Sequence, residues 1–354
     1  METQTLVSWF KDIAIGDRPT VGGKGASLGE LVRAGIRVPP GCVLTTAAFE
    51  RFLAAIDPKG AIRRAVERLA ADDLVEISRV SEELRNIILQ SPFPPDLAEA
   101  VVSAYRELCA DQADAPVAIR SSATSEDSAD ASFAGLQDTY LWVCGEPAVL
   151  QAVRACWASL YSAESVSYRL RLKLPEEGLA MGVVIQRMVN SRCSGVMFTR
   201  SPVSGDRSVI AIEASWGLGS SIVSGEVTPD KYVVNKVTGE IAKRTVSRKT
   251  VQHVPDPENH GTLTVHVSDL LQTAASLSDA EIAELAAIAK RVERHYGSCQ
   301  DIECAINHDS GNGVEVYLLQ SRPETVWSKR DTEDKPVPKA RAFEHVFDLF
   351  AGKK

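Results

Sequence analysis

Hydrophobic spacing divides the chain into helical and extended stretches. Leu28, Leu31 and Val32 recur on one helical face between Gly22-Gly23-Lys24-Gly25 and Gly35, which predicts a loop feeding a helix of about ten residues. Val38-Pro39-Pro40-Gly41 reads as a turn. Residues 46–56 and 60–110 carry helical periodicity, broken at the prolines of 91–95, and 147–170 and 279–295 carry it again. Val117–Arg120, Thr139–Val143 and Met181–Val189 read as strands, the last as a buried one. Further strands follow at 194–198, 208–213 and 231–235. The last two, about 300–306 and 314–320, are joined by a Gly-rich stretch and expected to pair as an antiparallel hairpin. The early part is helix-rich and the later part strand-rich, so the fold class is α+β.

Composition narrows the function. With 354 residues, 44% hydrophobic and 24% charged, the chain can bury a sizeable core. A net charge of -8 argues against nucleic acid as main partner. No apolar run approaches the roughly 20 residues of a membrane helix, and no signal peptide is evident, so the expected location is the cytoplasm. The seven cysteines are scattered without CxxC spacing and the six histidines form no HxxxH cluster, which leaves a disulfide framework or zinc site without support.

Five constellations could carry chemistry. In the C-terminal hairpin, Asp301 and Glu303 share one strand face, as do Gln320 and Arg322. Carboxylates and an amide oxygen suit Mg²⁺, and the arginine suits phosphate; a solvated strand face is the alternative. Lys24 sits in a glycine loop at a helix start, where backbone N–H groups attract anions, although a plain helix-leading turn reads the same way and the loop is not a Walker A pattern. Arg120 ends a strand, and Ser132-Phe133-Ala134-Gly135 beyond it could cover phosphates or be a surface loop. Val183–Val189, an apolar run containing Gln186 and Met188, could flank a base or be a core strand. Glu213, at a strand end before the turns around Gly217 and Gly219, could accept from a ribose hydroxyl or lie on the rim.

The order and spacing of these motifs are more specific than any one of them. GGKGASLGEL, VPPGCVLTTAAF, VAIRSSATSEDSADASFAGLQDTY, SGVMFTRSP, EASWGLGSSIVSGEVTPDKYVV, DIECAI and YLLQSRPET cover about residues 6–327. Together they resemble the N-terminal nucleotide-binding domain of the phosphoenolpyruvate synthase, pyruvate phosphate dikinase and rifampicin phosphotransferase family. The resemblance implies an ATP-grasp-like fold with lobes at 1–190 and 191–328 closing on ATP and Mg²⁺, and a linker-like tail at 329–354. It implies that Lys24, Arg120 and Arg322 contact phosphates and that Gly135 and Thr139 belong to the covering loop. Gln186 and Met188 would lie near adenine, Glu213 near ribose, and Glu303 and Gln320 would hold the metal beside Asp301. In the family, a histidine on a swivelling domain attacks the β-phosphoryl of ATP; AMP leaves and the γ-phosphate is released. None of the six histidines has the family's Thr-Ser-His context. The expected partner is therefore a separate subunit carrying the phosphohistidine and the acceptor site, with Phe343–Phe350 in the tail as a candidate docking segment. An ATP-grasp ligase making ADP through an acyl phosphate, or a nucleotide-sensing subunit, would use the same motifs.

Overall fold

The computed structural model describes residues 5–124, 138–256, 258, 261–307 and 314–328. Ser125 to Gln137, with the covering loop and Gly135, the hairpin connection 308–313 and the tail from 329 lie outside the described residues. Contacts divide the chain into Met1–Pro323 and Glu324–Lys354. In the second unit the Glu324 carboxylate accepts from the Trp327 N–H at 2.7 Å, capping one short turn.

In the first unit the helices come early, as their periodicity predicts. They are α1 (Arg18–Arg33), α2 (Thr46–Ile56), α3 (Ala61–Glu67), α4 (Leu74–Gln90) and α5 (Pro95–Leu108), then α6 (Glu146–Ser159) and α7 (Ala163–Leu172). Local chemistry sets their ends. Asp73 accepts from the Glu76 N–H to start α4, and Pro95 opens α5, where a missing N–H costs nothing. The interleaved strands β1 (Val7–Trp9), β2 (Gly41–Leu44), β3 (Val117–Ala123), β4 (Thr139–Val143) and β5 (Met181–Arg187) form an antiparallel sheet in the order β1-β2-β5-β3-β4. The uninterrupted apolar character of β5 is explained by its central place there. Its far side packs against the helices through Phe49, Phe52, Trp157 and their neighbours.

The second sheet, order β13-β12-β6-β7-β8-β9, is built from β6 (Ser191–Phe198), β7 (Val209–Trp216), β8 (Asp230–Asn235), β9 (Ile241–Thr245), β12 (Gln300–Asn307) and β13 (Val316–Pro323). A two-stranded ribbon of β10 (Val251–Asp256) and β11 (Gly261–His266) and two short helices, α8 (Ser220–Val223) and α9 (Asp269–Gln272), complete it. The long helix α10 (Asp279–Tyr296) covers one face, with Ile282, Leu285, Ala289 and Val292 buried. Its start is the capping box Ser278/Glu281 and its stop is Gly297 in the left-handed region, at φ +66°.

Two expectations are corrected. The predicted loop before α1 shrinks to one residue: helical structure resumes on both sides of Gly22, which alone leaves it at φ 74°, ψ 176°. The turn expected at 38–41 falls instead at Ala34–Gly35, and Gly41 already opens β2. In addition, 60–110 breaks a second time, between α3 and α4, and β9, β10 and β11 were not anticipated.

A fully buried ion pair fixes the segment that leads into the β10–β11 ribbon. Lys249 Nζ lies 2.6 Å from Asp230 Oδ1, both side chains at 0% exposure. Asp230 also accepts from the Ser247 N–H and from the N–H and hydroxyl of Ser276, each at 2.8 Å. Removing the cation strands a buried carboxylate, so Lys249→Ala should lose about 3–5 kcal/mol in urea unfolding. A loss below about 1 kcal/mol would show that water satisfies Asp230 instead.

Candidate functional site

Helix α1 is the piece that touches both sheets. At its start the Ser122 hydroxyl donates to the Val21 carbonyl at 2.8 Å and accepts the Gly25 N–H at 3.0 Å, clamping the kink onto β3. Two residues beyond Gly25, the Ser27 hydroxyl donates to the Ser321 carbonyl of β13 at 2.6 Å. At the helix end Glu30 meets His295 of α10 at 2.6 Å. Lys24 is carried between these anchor points.

The hairpin β12–β13 pairs Asp301 with Arg322 and Glu303 with Gln320, placing all four on the shared face that their spacing predicts. The register then shifts: Cys304 faces Leu318, so Leu319 is an extra residue on β13. Such a bulge re-aims backbone groups. The Leu319 carbonyl accepts from Arg120 Nη1 at 2.8 Å, across from the other sheet. Arg120 Nη2 donates to Gln320 Oε1 at 2.5 Å and to Glu303 Oε2 at 3.3 Å. The guanidinium is thus buried at the floor, held by one carboxylate, one amide and one carbonyl. Arg322 Nε lies 3.4 Å from Asp301 Oδ2 on the same floor.

Above this floor is a cavity of about 650 Å³, within the range of small-molecule sites. Lys24, Arg120, Thr139, Gln186, Met188 and Glu213 line it, as do Asp301, Glu303, Gln320 and Arg322. Every residue singled out from the sequence is therefore brought together here, except Gly135, which lies outside the described residues. Thr139 stands opposite Arg120 in the β3–β4 register, at the exposed rim. Glu213 is held by Lys231 at 2.8 Å. Gln186 is buried, and its amide nitrogen has no hydrogen-bond partner among the described residues. A buried donor left alone is costly, so a ligand atom that accepts from it would be strongly favoured. The Met188 N–H is already donated to the Pro116 carbonyl at 2.9 Å, so Met188 can offer a ligand its side chain but not that N–H.

Sequence reasoning missed the β6–α8 wall: Ser191, Ser194, Leu218, Ser220 and Ser224 also face the cavity. The only sequence signal is the density of serine and glycine in 215–225. Cys304, also at the wall, is no nucleophile. Burial pushes its thiol well above the usual range, so the proton stays on the sulfur, which lies 3.4 Å from the Gly195 carbonyl.

The donor set fits Mg²⁺. Glu303 Oε2 and Gln320 Oε1 converge on one Arg120 nitrogen, which makes them adjacent hard oxygens, and Asp301 is close in register. Among the described residues no group of three or more His, Cys, Asp or Glu forms an all-protein cage. A cation completed by phosphate oxygens and water needs no such cage. No helix among the described residues is long and apolar enough to cross a membrane.

Comparison with known proteins identifies the family of the chain. Residues 18–342 match the family model of the pyruvate phosphate dikinase AMP/ATP-binding domain. A probable phosphoenolpyruvate synthase from Staphylothermus marinus is 39% identical over 95% of this chain and 43% of its own length. The phosphoenolpyruvate synthase of Aeropyrum pernix is 40% identical over 94% of this chain and 44% of its own. The chain spans less than half the length of these relatives. Among solved structures, D-alanyl-alanine synthetase A from Vibrio cholerae matches 78% of this chain and 64% of its own, at 12% identity and a TM-score of 0.27. The chain belongs to the pyruvate phosphate dikinase AMP/ATP-binding domain family, and its fold is α+β.

Proposed function

We propose that this cavity binds Mg-ATP and presents its β-phosphoryl group to a histidine carried on a separate element, either a partner subunit or more of the same polypeptide. The observation that carries the reading is the placement of Arg120, which reaches from the first sheet to Leu319, Gln320 and Glu303 of the second. With Lys24 and Arg322 on the same walls, cationic groups converge where a polyphosphate would lie. Phosphoryl transfer depends on such positioning and charge neutralisation more than on covalent help from the protein.

In this reading Lys24, Arg120 and Arg322 bind phosphate oxygens, and the lobes at 1–190 and 191–328 close over them to exclude water. Gln186 donates its unpaired amide N–H to a ring nitrogen of the adenine. Glu303 and Gln320 would hold Mg²⁺, which supplies positive charge against the bridging and leaving phosphate oxygens. The histidine nitrogen attacks the β-phosphorus and the α,β-bridging oxygen leaves with AMP. The γ-phosphate departs to water as inorganic phosphate. No histidine is among the described residues that line the cavity.

The test is the identity of the nucleotide product. Purified chain is incubated with Mg-ATP, with and without the histidine-bearing subunit or domain encoded with it, and nucleotides are separated by ion exchange. AMP and phosphate should form in equal amounts, and only when the histidine is supplied. ADP as sole product would overturn the reading in favour of acyl-phosphate chemistry. The final acceptor is set outside this site. Phosphoenolpyruvate, for which the related synthases are named, and phenylphosphate, made by the split family member phenylphosphate synthase, are the products to assay.

A further inference from the structure

From Ser220 in the β6–α8 wall, a hydrogen-bonded line of three side chains runs back away from the cavity. The Ser220 hydroxyl lies 2.7 Å from His253 Nδ1, and His253 Nε2 lies 3.2 Å from Glu226 Oε2. Ser220 faces the cavity, His253 is buried directly behind it, and Glu226 is half-exposed beyond. Backbone contacts hold the line in place. The Leu218 N–H donates to the His253 carbonyl at 2.9 Å. Gly217 passes so close that a Cβ there would sit 2.3 Å from the same oxygen. A segment from β7 into α8 is thus pressed against β10, with the imidazole between them.

The hydrogen-bond roles follow from the inventory of each group. A carboxylate can only accept, so His253 Nε2 carries the proton towards Glu226. That contact, more than the Ser224 hydroxyl at 2.9 Å, holds the Glu226 carboxyl below its usual range, which keeps it an acceptor. In the neutral imidazole the other nitrogen is then bare, and a bare ring nitrogen accepts. With the imidazole in that neutral form, the Ser220 proton points back at Nδ1. What Ser220 shows the cavity is lone pairs.

We infer that Ser220 is a nucleoside-contacting residue, fixed as a hydrogen-bond acceptor by the positioning residues His253 and Glu226, and that it reads an O–H or N–H donor of the bound nucleotide. This rests on the proposal that the cavity binds ATP. The nucleoside offers two such donors, the ribose hydroxyls and the 6-amino group. Glu213, on β7, lines the same cavity.

The experiment is calorimetric titration of the whole chain with Mg-ATP, Mg-2′-deoxyATP, Mg-3′-deoxyATP and Mg-ITP, using wild type, Ser220→Ala, His253→Ala and His253→Asn. Ser220→Ala should weaken ATP binding about five- to tenfold, the size of one neutral hydrogen bond. It should also erase the penalty that wild type shows for one analogue: a deoxynucleotide if ribose is read, ITP if the amino group is. His253→Ala should copy Ser220→Ala. Asn places an oxygen where Nδ1 stood, so His253→Asn should recover most of the affinity, which a merely structural role would not predict. If wild type fails to bind ATP, the functional proposal falls. If wild type binds but Ser220→Ala keeps both the affinity and every analogue penalty, this inference falls alone.

Discussion

Gly22→Ala should be among the most damaging small substitutions in this protein, costing about 3–5 kcal/mol of a total that is about 5–15 kcal/mol for a typical domain. Two independent penalties add. The backbone at φ 74°, ψ 176° is a region that only glycine occupies at low cost, worth about 1–3 kcal/mol for another residue. The new methyl would also sit 1.9 Å from the Ser122 carbonyl oxygen and 2.4 Å from its hydroxyl. Neither can retreat, because β3 is buried along its whole length and that hydroxyl is the clamp between Val21 and Gly25. The kink aims Lys24 into the cavity, so ATP affinity should fall with stability. Gly16→Ala is the control. Nothing lies within 4 Å of its Cβ position, and its urea midpoint should shift by less than about 0.5 kcal/mol in equivalent stability. A Gly22→Ala protein as stable as that control would mean the kink relaxes freely and is not a fixed part of the site.

Gly22 also marks where sequence reasoning ran short. A glycine cluster before a helical period announces a turn, but the same letters fit a four-residue loop or a single strained residue. The choice depends on Ser122, a hundred positions away. The hairpin was more legible, because strand alternation is local: Asp301/Glu303 and Gln320/Arg322 had to share faces, and they do. The bulge at Leu319 was not legible, since nothing in the letters Leu-Leu-Gln marks an extra residue. The ribbon β10–β11 and strand β9 escaped for a different reason. Apart from His253 and Asp256 they bury few side chains, so no period-two pattern is imposed on them. The Ser220–His253–Glu226 line joins residues 27 and 33 positions apart and leaves no periodic trace. What did carry across the chain was the order of motifs, which placed Lys24, Arg120 and Glu303 in one expected site before any geometry was available.

Arg120→Lys should lower the rate of ATP conversion to AMP by about a hundredfold or more, close to the effect of Arg120→Ala. The reason is the shape of the guanidinium. One nitrogen holds the bulged Leu319 carbonyl while another bridges Gln320 and Glu303. Its Nε is buried with no partner among the described residues. A lysine ammonium is a single point on a flexible stem and cannot span that fork. Glu303 and Gln320, released from their common donor, would then lose the spacing proposed to hold the cation. Charge alone would be conserved, so the comparison separates positioning from electrostatics. Among the described residues Glu303 is the one carboxylate within 4 Å of Arg120, and it is more than a third exposed, so water screens the pair and leaves part of the guanidinium charge for phosphate. If positive charge were all that mattered, Arg120→Lys would turn over within about threefold of wild type while Arg120→Ala failed. That outcome would reduce the fork to a point charge. A loss shared by both variants, with urea midpoints near that of wild type, would instead establish that ATP is positioned by a guanidinium braced across two sheets.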